Sequence, residues 1–285
     1  MSTTSGVEPL TFDPPPDIRL IAADMDGTLL DDEDELHHHF WPLADELFRR
    51  GIVFCPASGR QYYNLRERFS AVADEVAFIA ENGTYVVHQG REISATCLPA
   101  DSVTRLVGTA RDLHAGEADI GVVVCGKGAA YVERFDPPFL AEVEKYYARL
   151  QLVPDLLDVA GEDVLKVAVY DFGSAERTTA PAFAPYAESH QVAVSGEHWV
   201  DVMTLGVNKG VGIRRIQEAL GITRAQTMTF GDFLNDLEMM DESDYSFAMH
   251  NAHPVLRERA RYVAPPNSEN GVVRTISTVL GLPWA

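Results

Sequence analysis

Short runs of consecutive apolar residues alternate along much of this chain with segments whose apolar positions recur every three or four residues. Unbroken apolar runs suit strands buried on both faces, and the 3.6-residue rhythm suits helices lying against them. The first stretch reads as strand 18–23, helix 43–50, strand 52–57, helix 62–69 and strand 76–80. After Asn208 the alternation resumes with helix 209–220, stopped by Gly221, and then strand 226–230, helix 234–240 and strand 246–249. Helix 254–260, strand 262–264 and helix 271–280 complete it. Together the two stretches predict one α/β domain built on a doubly wound parallel sheet.

Between them the rhythm changes. Hairpin 85–88 and 92–97 precedes helix 101–114, strands 120–125 and 130–134, helix 138–150, strand 164–170 and helix 175–188. A hairpin at 191–194 and 198–202 ends the segment. Hairpins interleaved with helices predict an antiparallel or mixed sheet, hence an α+β domain inserted into the first. The expected organisation is therefore a leader over 1–17, a core from 18–84 and 204–285, and an inserted unit over 85–203. Because the leader is polar and then proline-rich (Pro14, Pro15, Pro16), it is expected to be disordered.

Composition narrows the function classes. With 285 residues, 46% of them hydrophobic, the chain can bury a substantial core. A net charge of −20 and the lack of any Lys/Arg-rich run argue against nucleic acid and anionic membranes as partners. No apolar run reaches the length of a membrane span, and the leader has no signal-peptide pattern. Cys55, Cys97 and Cys125 form no CxxC pair, which fits buried thiols in a reducing, cytoplasmic setting. Monomer and small homo-oligomer are both compatible with this composition. An acidic protein acting on an acidic ligand needs local positive charge, which points to a bound cation and to Lys209.

Candidate chemistry sits where strands end. Asp24 and Asp26, in Asp24-Met25-Asp26-Gly27-Thr28-Leu29-Leu30, are two apart, which places both on one side of the sheet edge. Ligands of open α/β sheets collect at the carboxyl ends of strands. Two carboxylates about 4 Å apart repel by roughly 4 kcal/mol at an effective dielectric near 20, a cost that a divalent cation removes. Gly231-Asp232-Phe233-Leu234-Asn235-Asp236 repeats the logic on another strand. There Asp236 also suits a helix N-terminus, where an acid is favourable by about 0.3–1 kcal/mol. Ser58 and Gly59 end strand 52–57 ahead of a helix, so a hydroxyl and free amides offer an anion site. Lys209 opens a helix at the edge of the same sheet.

Taken in order, DMDGTLL, a serine ending the second strand, NKG and GDFLND match the four motifs of the haloacid dehalogenase superfamily. Glu81-Asn82-Gly83-Thr84, the late insert and Met249-His250-Asn251-Ala252 resemble its Cof-type phosphatase branch. The resemblance spans nearly the whole chain from Ile18. It implies that Asp24 is a nucleophile forming an aspartyl-phosphate, and that Asp26 is the general acid/base whose main-chain carbonyl ligates Mg²⁺. It further implies Asp232 and Asp236 at the metal, with Ser58, Lys209 and Asn235 at the phosphate. The same roles are chemically sound without the family name. A carboxylate can act as a covalent nucleophile, and a second acid must protonate the leaving alkoxide and then activate water.

The expected function is a Mg²⁺-dependent phosphatase of a small soluble phosphomonoester, such as a sugar phosphate or a flavin-precursor phosphate, with the insert as a cap. A sugar phosphomutase shares every core residue, and a non-catalytic phospholigand-binding protein is the alternative from another class. Lys127, Arg134 and His198 are candidate cap contacts to the leaving group. Asp201 stands where the branch commonly has Glu. Residues 31–35 read as a solvated acidic turn, and His37, His38 and His39 as a solvated or partly packed triplet. Trp41, Trp199, Trp284, Met239 and Met240 read as packing.

Overall fold

The computed structural model of the chain describes residues 6–116 and 118–282. In chain order the strands are β1 (Leu20–Ala23), β2 (Val53–Pro56), β3 (Ala77–Ala80), β4 (Tyr85–His88), β5 (Arg91–Ala95), β6 (Ile120–Gly126) and β7 (Ala130–Val132). They continue as β8 (Leu150–Leu152), β9 (Val164–Asp171), β10 (His190–Val194), β11 (Trp199–Thr204), β12 (Thr227–Gly231), β13 (Tyr245–Met249) and β14 (Tyr262–Ala264).

Five of these make a parallel sheet in the order β14-β13-β12-β1-β2. Every residue of β1 and β12 is buried, as strands covered on both faces require. In the register, Ala23 lies beside Phe230 and Pro56. Asp24, Ser58 and Asp232 therefore leave the sheet at neighbouring carboxyl tips.

A parallel bridge between Ala57 and Ile79 carries the layer on to β3, and antiparallel β4 and β5 follow it. This hairpin was expected within the insert. Its backbone instead pairs with β3, and Val86 belongs to the apolar core of the parallel layer, with Tyr85 and Ile93 packed on it.

The second layer is a six-stranded sheet ordered β10-β11-β9-β6-β7-β8, antiparallel except for β7 and β8. Period-two alternation splits its side chains between two cores. Val122, Val124, Val167 and Val169 face one way, and Val123, Ala168 and Trp199 the other, where Phe139 of helix Pro137–Val143 packs with them.

Several expected elements change. Helix 138–150 stops at Val143, because Leu150–Leu152 is recruited as an edge strand beside β7. The expected 175–188 helix breaks into Ala175–Thr179, Ala180–Phe183 and Ala184–Glu188; prolines at 181 and 185 remove two helical N–H donors. Within the leader, Phe12 packs edge-on against Tyr245 and Tyr262, with ring centroids 5.4 and 5.6 Å away. The expectation of disorder therefore fails for this described part, where an aromatic side chain finds an aromatic seat. Residues 1–5 of the leader, and Trp284, lie outside the described residues. Among the described residues no helix is long and apolar enough to cross a membrane.

One tight turn joins the layers. Glu81, Asn82 and Gly83 have successive positive φ angles of 49, 55 and 96°. A Cβ on Gly83 would lie 2.6 Å from the Asn208 carbonyl carbon, at the start of helix Lys209–Leu220. Gly83→Ala is therefore expected to destabilise the protein by about 1–3 kcal/mol, since it forces both a strained φ and a backbone shift. Urea unfolding checks this, with Gly128→Ala, where a Cβ meets nothing within 4 Å, expected to behave as wild type. Equal midpoints for the two variants would disprove the close approach.

Candidate active site

Asp24 follows β1 directly, and its N–H donates to the Phe230 carbonyl of β12 (3.0 Å). That bond holds Asp24 at the boundary between sheet and turn, where it is buried. Its Oδ1 accepts from the Lys209 ammonium at 2.5 Å, and the same Nζ donates to Asp236 Oδ1 at 2.6 Å. Lys209 has no solvent exposure. Asp236 uses its other oxygen to accept the N–H groups of Asp232 (3.0 Å) and Phe233 (3.2 Å), closing the turn after β12. Thr28 donates to Asp232 Oδ1 at 2.8 Å, tying the first turn to the second. Gly27 sits between them at φ 71°, and a side chain there would run into the Asp232 carboxylate.

Carboxylate oxygens of Asp24, Asp232 and Asp236 come within 4.8 Å of one another. Burial, followed by the neighbouring Asp236, pushes the Asp24 carboxyl well above the usual range against the opposing pull of Lys209. The same two causes push Asp232 up to about 7, while its bond from Thr28 opposes them. Lys209 is raised: burial works against its charge, and Asp236 and Asp24 more than offset it. Among the described residues, Asp24 Oδ2 and Asp232 Oδ2 accept no hydrogen bond, whereas both oxygens of Asp236 are committed. Oxygen donors that are few, charged and otherwise unshared fit a small hard divalent cation.

Asp26 lies in the turn after Asp24 with its side chain 43% exposed. Arg60 grips it from the side: Nε donates to Oδ2 at 2.9 Å and Nη2 to Oδ1. Ser58 is buried, and its hydroxyl accepts the Arg60 N–H at 3.1 Å. The Gly59 carbonyl accepts from the Lys166 ammonium at 2.6 Å. Asn235 donates to Asn82 Oδ1 at 3.0 Å, and Asn82 donates in turn to Ser195 at 2.8 Å and to Asp201.

Asp24, Asp26, Ser58, Gly59, Asp232 and Asn235 all line one cavity of about 270 Å³ between the two layers. Lys209 reaches Asp24 from behind it. Tyr146, Tyr147, Lys166, Ser195, Trp199 and Asp201 form the opposite wall. Lys166 is fully buried between Glu81 (3.0 Å) and Asp201 (3.1 Å). Burial opposes its charge, yet Asp201 and Glu81 leave it raised.

The cap contacts expected from sequence are elsewhere. Lys127 pairs with Glu92, Arg134 with Asp119 and Asp136, and His198 with the Asp171 carbonyl; none of the three lines the cavity. They sit at strand ends and turns with side chains committed to these partners, whereas Lys166 lies mid-strand in β9. A lysine inside an otherwise apolar strand was the signal that could have found it. Arg60 and Asp34 were also missed. Asp34, expected in a solvated turn, accepts from Arg60 at 2.7 Å and from Arg68. The triplet His37, His38 and His39 packs ring on ring, 4.1 to 4.9 Å between centroids, and His37 meets Asn270 at 2.9 Å. It contributes nothing to the cavity lining.

The sequence model of the haloacid dehalogenase-like hydrolase family, Hydrolase_3, matches residues 21–276. The chain is 33% identical over 271 residues to the 5-amino-6-(5-phospho-D-ribitylamino)uracil phosphatase YbjI of Escherichia coli, covering 92% of this chain and 96% of the relative. The Bacillus subtilis phosphatase YitU, which carries the same activity name, is 26% identical, with 92% and 98% covered. A crystal structure of a Streptococcus mutans protein superposes with a TM-score of 0.85 at 24% identity, covering 93% and 99% of the two chains.

The electrostatics give a direct expectation. Lys209→Met leaves Asp24 and Asp236 facing each other with no counter-charge inside the protein. Breaking a buried pair in this way costs about 3–5 kcal/mol, read as a lowered urea midpoint for the metal-free protein. A variant as stable as wild type would show that Lys209 does not bind the cluster together.

Proposed function

Because the chain belongs to the haloacid dehalogenase-like hydrolase family, we propose that it is a magnesium-dependent phosphatase of small phosphomonoesters, working through a phosphoryl group on Asp24. The observation that carries this is Asp24 itself. One oxygen is fixed by a buried ammonium, the other has no partner among the described residues, and the residue lines a cavity. A carboxylate so held is aimed and poorly solvated, which favours attack on an electrophile.

In the first step one Asp24 carboxylate oxygen attacks phosphorus, and the bond from phosphorus to the ester oxygen breaks. The Asp26 carboxyl gives its proton to the departing oxygen. In the second step the Asp26 carboxylate takes a proton from water as that water attacks phosphorus. The bond from Asp24 to phosphorus breaks, and inorganic phosphate and free Asp24 result. Ser58, the Gly59 amide and Asn235 hold the phosphoryl oxygens, while Lys209, buried behind Asp24, acts through that carboxylate. Asp24, Asp232 and the Asp26 carbonyl would hold Mg²⁺, which when bound would supply positive charge to offset charge on those phosphoryl oxygens. Asp236, with both oxygens occupied, supports Lys209 and the Asp232 turn and is not itself a direct ligand. The six-stranded layer acts as the cap that excludes bulk water and meets the leaving group.

For the leaving group we favour a polar heteroaromatic carried on a polyol chain, as in the ribitylaminouracil phosphate named for two relatives. Trp199, at the cavity wall, has a buried indole N–H with no partner among the described residues. A ligand carbonyl would satisfy that donor, and Tyr146 lines the same wall beside it. Phosphate release from this ester, with Mg²⁺ and with EDTA, tests the reading beside hexose phosphates. Turnover should require the metal and fall by at least about a thousandfold in Asp24→Asn, since the nucleophile is lost. Undiminished turnover by that variant would refute the covalent route, and a preference for hexose phosphates would refute the assigned leaving group.

Metal binding should also depend on pH. The folded protein holds the Asp232 proton up to about 7, against an ordinary value of 3.8. Without metal it therefore binds more protons than the unfolded chain between these limits. The stability from this group is full below about pH 4 and is lost as pH rises through 7. Cation binding requires the ionised form, so the rise in Tm produced by Mg²⁺ should be larger at pH 8 than at pH 6. Differential scanning fluorimetry at the two values checks it; equal shifts, or a larger one at pH 6, would contradict it.

A further inference from the structure

Arg60 is only 2% exposed, and a guanidinium that deep needs its donors accounted for. Two of them form a fork on Asp26, through Nε to Oδ2 at 2.9 Å and Nη2 to Oδ1. Nη2 also donates to Asp34 Oδ1 at 2.7 Å, and Arg68 holds the other oxygen of Asp34. The remaining partners come from the other layer. Nη1 donates to the Lys145 carbonyl at 2.7 Å, and the guanidinium lies 4.6 Å from the centre of the Tyr146 ring.

Lys145 and Tyr146 belong to a segment that the parallel layer clasps along its length. Asn64 donates to the Lys145 carbonyl (3.1 Å), and the Gln61 N–H donates to the Tyr146 carbonyl (3.2 Å). The Gln61 side chain binds the Arg149 backbone twice, accepting its N–H at 2.8 Å and donating to its carbonyl at 3.1 Å. Arg60 therefore touches the candidate acid/base with one edge of its fork and the cap with the other. Opening the cap removes a carbonyl and a ring from a buried cation. The fork is then free to follow other partners, and Asp26 loses its fixed orientation.

We propose that Arg60 is a positioning residue that aligns Asp26 with the leaving oxygen only when the cap is closed. This rests on the reading of Asp26 as general acid, and it assigns the coupling to a side chain that need not touch substrate. A carboxyl oxygen has two lone-pair directions, so Asp26 can accept from Arg60 and still present an edge to the cavity. Arg60→Lys keeps the charge but loses the planar fork.

The test is kcat/KM for a series of phosphate esters running from 4-nitrophenyl through phenyl to alkyl, at saturating Mg²⁺. The good leaving group needs little proton donation and the poor ones need much, so loss of an aligned acid steepens the dependence. Arg60→Lys should lose about tenfold or less with 4-nitrophenyl phosphate and about a hundredfold or more with the alkyl ester. Gln61→Ala, which loosens the clasp without altering Arg60 or Asp26, should show the same trend at smaller amplitude, and it decides the matter if Arg60→Lys fails to fold. Parallel losses across the series in the folded variants would overturn the proposal, because a merely structural role slows every ester alike. So would a steeper dependence in Arg60→Lys with none in Gln61→Ala, since the link to the cap would be missing. A wild-type protein that turns over none of the esters would instead sink the phosphatase reading, and this proposal with it.

Discussion

One buried ammonium sets the terms for the rest of the site. Lys209 meets Asp24 and Asp236 where two strand tips and a helix start converge, and it has no contact with water. Placing a charge there is costly unless the geometry repays it, so each surrounding element is constrained. Asn208 caps the helix by accepting the Val211 N–H at 2.9 Å, which fixes where Lys209 starts. Asp236 must turn back toward the same point and therefore closes the loop that carries Asp232. The backbone of Gly83 must approach Asn208 closely, which a left-handed residue without a Cβ permits. A cluster of like charges at a sheet edge is thus the organising strain of the fold as well as its chemistry.

The seam between the layers follows a similar rule. Apolar packing would hold two sheets together in many relative orientations, whereas hydrogen-bonded charges allow few. Lys166 from β9 reaches across to the Gly59 carbonyl and Glu81, and Asp201 from β11 joins it. Asn82 links this group to Asn235, so one amide touches both the cap wall and a residue assigned to the phosphate. On the other flank Arg60, Gln61 and Asn64 grip residues 145–149. The two flanks enclose the cavity between them. Stability gained from such contacts is modest, but they specify one closed geometry, which is what alignment of Asp26 requires.

How much of this was legible in the sequence depended on whether the signal was local. Helix Lys209–Leu220 and strand Tyr262–Ala264 match their expected bounds because a cap, a glycine stop or a short apolar run marks each end. Asp24 and Asp232 were legible since each directly follows an apolar run, and parallel register does the rest. Strand Leu150–Leu152 was not, for its only reason to be extended is pairing with β7, twenty residues away in sequence. Hairpin Tyr85–Ala95 was assigned to the wrong layer for the same kind of reason: alternation predicts a hairpin but not the sheet it joins. Arg60 escaped because it sits in the polar turn Ser58-Gly59-Arg60-Gln61, where a cation reads as exposed, and Lys166 because its partners Glu81 and Asp201 are distant in sequence.

Charge balance then links the site to the acidity of the whole chain. Lining or flanking the cavity stand seven carboxyl groups (Asp24, Asp26, Glu197, Asp201, Asp232, Asp236 and Glu81) and three cations (Lys209, Lys166 and Arg60), each cation already paired. A phosphate dianion entering such a place meets no free positive charge. It must break an existing pair, arrive with protons on the carboxyls, or be accompanied by a cation. Breaking Lys209 away leaves Asp24 and Asp236 unpaired in a buried site, which is the dearest of the three. Protons on Asp24 would spoil it as a nucleophile. Under the proposed reading a divalent cation is therefore the one entrant that lets Asp24 stay ionised, Lys209 stay paired and the phosphoryl group approach. Burial and the neighbouring Asp236 raise the Asp24 and Asp232 carboxyls, which sets the charge that any entrant must offset.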